Sequence, residues 1–463
     1  MYTFQDFQKQ KKNGEFGSWI LSAINSYKAS EFYQDAKIAD DYARQKNTTI
    51  VSYQKMLYTV SGKAVPDIYS ANHKCTSNFF NRFVTAEAAY SLGNGASFGK
   101  DSTKKKLGKD FDKKLYYIGK NSLIHGVCYG FFNYDHVEMF TALEFVPLYD
   151  EENGTLRAGI RFWQLDSNKP LRFTVYEEDG YSEYICAGGE VSPYGDAGKQ
   201  SYVAVVDTTV ADGQEIVAGE NYPSFPIVPL WGNVYHQSEI IGIRSQIDAY
   251  DLIKSGFAND LDDVSQIYWI LENSGGMSDI DLAKFVQRMK TVHAASAGDD
   301  DGATATAHTL EVPYQSREVY LNMLEKDMYR DYMALDVQNI QSGAVTATQI
   351  DAAYDNPNQK ADEFELNVTD FVQELLRLIG IDDEVTFTRS VIVNKSEMIT
   401  NLVQASGVLP EEYIAGKLIE ILGDIDKKDE ILEQIEQDEL ERYKKNPEPE
   451  QEETAESEEE VNE

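Results

Sequence analysis

The chain has 463 residues, 42% of them hydrophobic and 12% aromatic, and a formal net charge of -36. That length can bury a sizeable core and predicts two or more domains; the aromatic content is too high for a disordered chain, and no apolar run reaches the ~18 residues that span a bilayer. The acidity argues against tight sequence-specific reading of DNA, which needs a basic face; on charge alone a solubilising surface is preferred, and a surface past which a duplex slides without sticking is the alternative.

The first 17 residues are polar and carry no apolar segment of a secretory signal, so the sequence predicts a protein made and kept in a cytoplasm. Residues 1–96 read as helical with short breaks. Within them Phe79, Phe83, Ala86 and Tyr90 fall at helical spacing, and Leu92-Gly93-Asn94-Gly95 ends that helix. Seven lysines follow between Lys100 and Lys114; a solvated helix face is preferred to a phosphate site, because no aromatic residues interleave the core of the cluster. Cys75, Cys128 and Cys186 are far apart and odd in number, which predicts buried free thiols rather than a disulfide framework or metal pair.

Over 126–229 the period switches toward two. Segments 145–149 and 156–164 flank Asp150-Glu151-Glu152-Asn153-Gly154, and 171–176 faces 181–186 across Glu177-Glu178-Asp179-Gly180. Asn-Gly and Asp-Gly accept the positive φ of tight turns, so both read as hairpins of an antiparallel unit.

The stretch 237–264 is an amphipathic strut. Ile240, Ile243, Ile247, Tyr250, Ile253, Phe257, Leu261 and Val264 recur every three or four residues, while Arg244, Asp248, Asp251, Lys254, Asp260, Asp262 and Asp263 are placed on a wet face. At ~1.5 Å per residue the rod is about 40 Å long. A second strut at 316–335 carries Leu321, Leu324, Met328, Tyr332 and Leu335, with a compact β-containing insert at 265–315 between the two. Two struts bracketing an insert suggest a stalk with a tip.

After the second strut, Asp336, Val337, Gln338, Asn339, Ile340, Gln341, Ser342, Gly343 and Ala344 form a polar loop. Thr346-Ala347-Thr348-Gln349 fits a capping box that starts a helix, which Asp355-Asn356-Pro357-Asn358 breaks or kinks before it resumes through Phe364, Val368, Phe371, Leu375 and Leu378 to Gly380. A strand is expected at 385–393, helix from 395, and a charged helix at 424–445. The last 18 residues, 446–463, hold nine Glu and no Lys or Arg, a composition that predicts disorder.

Catalytic chemistry lacks sequence support. There is no GxGxxG, GxxxxGK[ST], HExxH or GxSxG, and the six histidines are scattered. His125 and Cys128 have the spacing of a thiolate–imidazole pair and equally of two core neighbours. Asp299-Asp300-Asp301-Gly302 starts like a calcium loop, but Leu310 stands where the twelfth-position Glu belongs. The sequence therefore predicts no catalytic residue, no cofactor and no metal.

Several segments, in order along nearly the whole chain, resemble the portal proteins of tailed bacteriophages, the broad family of siphophages infecting Gram-positive bacteria. They are Asn78-Phe79-Phe80-Asn81-Arg82-Phe83-Val84 with Tyr90-Ser91-Leu92-Gly93; the hairpin with Gly159-Ile160-Arg161-Phe162; and Phe225-Pro226-Ile227-Val228-Pro229 with Ser238-Glu239, Ile247-Asp248-Ala249-Tyr250 and Asn259-Asp260-Leu261. Ser342-Gly343-Ala344 with Thr346-Ala347-Thr348-Gln349-Ile350, and Phe387-Thr388-Arg389-Ser390 with Ser406-Gly407-Val408-Leu409-Pro410, complete the set. The chain departs from the family at Pro410-Glu411-Glu412-Tyr413, where Ser-x-Glu-Thr is usual.

The resemblance implies an α+β portal fold: a mixed wing domain (1–236 and 346–394), a two-helix stem (237–264 and 316–335), a small α/β clip (265–315), a tunnel loop (336–345), a helical crown (395–445) and a disordered acidic C-terminal tail (446–463). It implies a dodecameric ring at one capsid vertex of the virion, assembled in the bacterial host cytoplasm, through which double-stranded DNA is packaged and ejected. Implied partners are further copies of the chain, the terminase large subunit, head-completion or adaptor proteins, major capsid and scaffolding proteins and DNA held non-specifically, with no membrane. Residues 336–344 would face the channel, and Ile240, Ile243, Ile247, Tyr250, Ile253, Phe257 and Leu261 would pack between subunits. The rival readings are another oligomeric capsid or tail component and a hydrolase built on His125 and Cys128.

Overall fold

The computed structural model describes residues 2–12, 16–58, 62–68, 70–195, 198–207, 216–264, 268–272, 304–308, 314–337, 347–390, 395–423, 428, 430–435 and 437. The chain divides into two compact units, 1–342 with 352–390, and 343–351 with 391–463.

In the larger unit both expected hairpins form. They belong to one antiparallel five-stranded sheet in which Phe145–Tyr149, Leu156–Trp163, Leu171–Glu177, Gly180–Ala187 and Glu190–Pro193 are neighbours in that order. Gly154 (φ +69°) and Gly180 (φ +134°) turn the chain where Asn-Gly and Asp-Gly predict it. Gly159 has a second reason to be glycine: a Cβ there would stand 2.0 Å from Cζ of Phe145, whose fully buried ring lies across it. One face of this sheet is covered by helices Phe4–Lys11 and Phe16–Lys28, which bury Phe7, Trp19, Ile20 and Tyr27 against Val146, Ile160, Phe173 and Val175.

A three-stranded sheet, Ile227–Trp231, Val127–Asn133 and His136–Thr141, lies next to the central helical layer. That layer comprises Glu31–Ala43, Phe79–Leu92, Phe111–His125 and the 24-residue Asp355–Leu378. The last of these buries Ala361, Phe364, Val368, Phe371 and Leu375, spaced three or four apart, and Phe371 approaches the sheet where Gly130 leaves room; a Cβ on Gly130 would be 2.5 Å from the ring. Pro357 does not break this helix. It sits in the first turn, where an amide hydrogen has no intrahelical acceptor, and the interruption falls one step earlier, at Tyr354.

Four expectations need correction. Residues 1–96 are not wholly helical: Met56–Tyr58 pairs with Ala64–Pro66, and residues 71–78 are in neither helix nor strand. The first strut begins at Arg244, not 237, because the Ser238 hydroxyl donates to the Ile124 carbonyl (2.5 Å) and the Glu239 amide to the Leu123 carbonyl (3.1 Å), tying 237–243 into turns. The second strut is Tyr314–Asp331 and ends in a left-handed residue, Met333 (φ +61°). Of the strand expected at 385–393, Val385–Phe387 forms and pairs with Ala96–Phe98, 388–390 are not strand, and 391–393 lie outside the described residues.

Between the struts, Tyr268–Glu272 and Thr304–His308 form an antiparallel pair; the Asp299–Gly302 motif lies outside the described residues, as do Thr346 of the capping box, most of 424–445 and the tail. The smaller unit contains helices Lys395–Gln404 and Glu411–Leu422, the second closed by Gly423 (φ +93°).

Replacing Gly159 by Val forces the Phe145 ring out of its site and is expected to cost about 1–3 kcal/mol, read as a lower urea midpoint. An unchanged midpoint would contradict this packing.

Candidate functional site

The two struts lie against each other and run antiparallel. Gln246 near the start of the first hydrogen-bonds Asp331 at the end of the second; Asp260 near the end of the first pairs with Arg317 near the start of the second, whose guanidinium lies 5.8 Å from the Phe257 ring. At their base Tyr250 meets Phe79 edge-on at 5.0 Å.

The residues expected to pack between subunits divide into two sets. Ile240, Ile243 and Ile247, each 1% exposed, belong to the chain's own core beside Phe79, Phe364 and Met328, so they have no surface to offer another copy. Tyr250, Ile253 and Phe257 are half-buried, and Leu261 is 56% exposed. The larger apolar surface is on the second helix, where Val319 is 68% and Met323 49% exposed, with Tyr320 between them. Of the loop residues, Asp336 and Val337 are half-buried; Gln338, Asn339, Ile340, Gln341, Ser342, Gly343 and Ala344 lie outside the described residues.

The polar stripe of the first strut is wet only in part: Lys254 and Asp262 are exposed, Arg244, Asp248 and Asp260 are half-buried and Asp251 is buried. Asp251, Ser255 and Asn259, four residues apart, accept the backbone amides of Ser77 (2.9 Å), Cys75 (2.9 Å) and His73 (2.6 Å). A helix advances about 6.0 Å in four residues and an extended chain about 6.6 Å in two, so the repeats stay in step. Asp248 extends the ladder by accepting from Tyr42 and Thr49, and His73 reaches Asp262 at 3.3 Å. Asp251 is fully buried; burial pushes its carboxyl above the ordinary range although Asn47 and Ser77 bond to it. The signal in the sequence was the four-residue spacing of oxygen-bearing side chains, which reads equally as solvent exposure.

Both struts are rooted at one half-buried cation. Lys360 Nζ donates to Glu239 Oε2 (2.6 Å) and to the Tyr332 carbonyl (3.3 Å), lies 3.3 Å from Glu87 Oε2, and sits 3.4 Å from the centre of the Tyr332 ring. The Tyr332 hydroxyl in turn donates to Glu87 (2.7 Å). Burial alone would lower the Lys360 pKa, but Glu87 and Glu239 outweigh it and raise the value. Two carboxylates share this one cation, and Glu87 is pushed up to about 7, by burial first and by Glu239 besides, against the pull of Lys360. A cleft of 410 Å³ opens beside them, lined also by Tyr235, Asp331 and Glu363.

The alternative chemistry finds no geometry. Cys128 is buried with its thiol directed at the Phe140 carbonyl (3.5 Å), and burial pushes its pKa far up, away from a thiolate; His125 faces Asp40 at 3.6 Å. No cluster of three metal-ligating side chains exists among the described residues, and no described helix is long and apolar enough to cross a membrane. In the lysine-rich stretch, Asp383 accepts the amides of Gly99 (3.0 Å) and Lys100 (3.1 Å), Lys104 pairs with Asp112 (2.6 Å), and Lys105, Lys106 and Lys109 are exposed.

A carboxyl whose folded pKa is raised favours folding while protonated, and that stability is lost as pH rises through the folded value. The account therefore predicts a contribution from Glu87 that declines between pH 5.5 and 8 by on the order of 2 kcal/mol. In urea titrations Glu87→Gln should flatten the slope of stability against pH over that window; an unchanged slope would contradict the assignment.

A family model described as phage portal protein, SPP1 Gp6-like, matches residues 27–445. The portal protein of Clostridium phage phiCD119 is 26% identical over 209 residues, 43% of this chain and 46% of that protein, so the alignment spans less than half of its length. The portal protein of Bacillus phage SPP1 is 24% identical over 404 residues, 78% of this chain and 75% of the relative. Among solved structures, a chain from the neck of a native GTA particle computed with C12 symmetry superposes with a TM-score of 0.40 at 10% identity, covering 73% of this chain and 89% of that one. With a match extending over most of its length, the chain belongs to the SPP1 Gp6-like family of phage portal proteins.

Proposed function

We propose that the chain is a structural, non-enzymatic component of a phage virion: copies of it form a closed ring, expected to be a dodecamer, at one capsid vertex, and double-stranded DNA passes through the ring during packaging and ejection. Family membership supports the reading. The observation that carries it in this chain is the antiparallel helix pair whose second helix leaves Val319, Tyr320 and Met323 exposed. An exposed apolar strip is an association surface, and identical copies joined head to tail through one repeated contact form a ring when the rotation between neighbours closes on itself.

In this reading the helix pair is the stem, the insert 265–315 the clip, 336–345 the tunnel loop, the larger unit apart from these the wing, and 395–445 the crown. The inter-subunit stem contact centres on Val319, Tyr320 and Met323 meeting Leu252 and Leu261 of the next copy, since Ile240, Ile243 and Ile247 are already occupied within their own chain. The clip and its surroundings would meet the terminase large subunit and then the adaptor or head-completion proteins. The capsid and scaffolding proteins would meet the wing.

The combined substitution Val319→Asp and Met323→Asp places two charges in the contact and is expected to leave monomers with an unaltered circular dichroism spectrum. Rings of normal mass from this variant would overturn the stem assignment. Deleting four residues within 338–344 should preserve the ring while impairing DNA packaging or retention; normal yield and packaged length would remove the tunnel-loop role.

A further inference from the structure

The segment 338–353 joins the second strut to the helix Asp355–Leu378, and the described residues on both sides of it are gripped by one face of one helix, Phe79–Leu92. Phe83, Glu87 and Tyr90, at positions i, i+4 and i+7, lie on a single stripe. Phe83 stacks on Tyr332 at 4.8 Å and meets Tyr329 edge-on at 5.0 Å, and Glu87 accepts the Tyr332 hydroxyl, which holds the departure of the segment. Tyr90 stacks on Tyr354 with ring centres 5.7 Å apart and 21° between planes, and its hydroxyl donates to Asn358 Oδ1 at 2.5 Å, which holds the return.

Tyr90 has a second set of partners. Its carbonyl accepts the Ser390 amide at 2.9 Å, its ring lies 6.0 Å from the Arg389 guanidinium, and Arg389 donates at 3.1 Å to the same Asn358 oxygen that receives the Tyr90 hydroxyl. Arg389 is otherwise clasped by Glu365, at 2.9 and 2.8 Å, and by Asp362. Ser390 is the last residue of the larger unit before the chain continues into 391–463.

We propose that Tyr90 is a positioning residue that couples the return of the 338–353 segment to the exit of the chain at Ser390. The stack is directional, so displacing Tyr354 turns the Tyr90 ring and draws its hydroxyl from Asn358. Asn358 is then free to reorient, Arg389 loses one acceptor, and the Ser390 amide bond to the Tyr90 carbonyl loosens with it. The coupling rests on these contacts alone. Its consequence, that DNA moving against the loop is felt where the chain leaves the wing for the crown, rests on the reading of 336–344 as the tunnel loop.

Amide hydrogen exchange on the full-length purified chain, resolved at Asn358 and Ser390, tests it without requiring a ring or DNA. Tyr354→Ala is expected to raise exchange at Ser390 about fivefold, a coupling of ordinary size. In a Tyr90→Ala background the same substitution should add nothing at Ser390, a non-additivity that independent loosening of two sites does not produce. Tyr90→Phe, which keeps the ring and loses the bond to Asn358, serves as the second background, and there the Tyr354→Ala increment should fall by more than half. Unchanged exchange at Ser390 in Tyr354→Ala, or an equal increment in both the native and Tyr90-substituted backgrounds, would overturn the proposal.

Discussion

The shared cation at Lys360 is the constraint from which the rest of the architecture follows. It and its three partners come from parts of the chain far apart in sequence: Glu87 from the helix Phe79–Leu92, Glu239 from the turn before the first strut, Tyr332 from just after the second, and Lys360 itself from the helix Asp355–Leu378. A largely desolvated cation with two carboxylates is costly to remove from water and contributes little net stability against an apolar substitute. Removing any one partner strands the others, so the arrangement selects one relative placement of four segments over alternatives of similar apolar burial. Both struts are thereby rooted on the same point, and the aromatic stack of Tyr332 on Phe83 continues that point into the core.

Above the root, the first strut is held by a device of a different kind. Its sides are occupied by the second strut and by the 73–77 ladder, so much of its acidity is engaged within the chain. Asp248 serves Tyr42 and Thr49, Asp251 serves Ser77 and Asn47, and Asp260 pairs with Arg317. This alters how the net charge of -36 bears on function. The engaged acidic residues of the first strut position it, and a surface that repels phosphate has to be supplied largely by other parts of the chain.

What could be read in the sequence was local. Asn153-Gly154 and Asp179-Gly180 marked turns because positive φ has few chemical solutions, and the stripe through Phe364, Val368, Phe371 and Leu375 marked a helix because its period extends over several turns. Ile240 and Ile243 continue the stripe of the first strut by spacing alone, yet contacts to Leu123 and Ile124, more than a hundred residues earlier, hold them in turns. The pairing of His73 with Asn259 spans 186 residues and leaves no periodic trace, since extended backbone offers its amides whatever its side chains are. The Lys360 cluster was illegible for the same reason: in a chain with 78 acidic residues, Glu87 and Glu239 do not stand out until folding removes water from them.

The central claim is that copies of this chain close into a ring through the exposed strip of the second strut. Electron cryomicroscopy of the purified full-length protein tests it most directly. The account predicts a closed ring with an axial channel, Val319 and Met323 facing the adjacent copy and the Lys360 cluster intact within each subunit. Particles that are monomers or dimers at micromolar concentration, or a ring in which the Val319–Met323 face points to solvent, would contradict it.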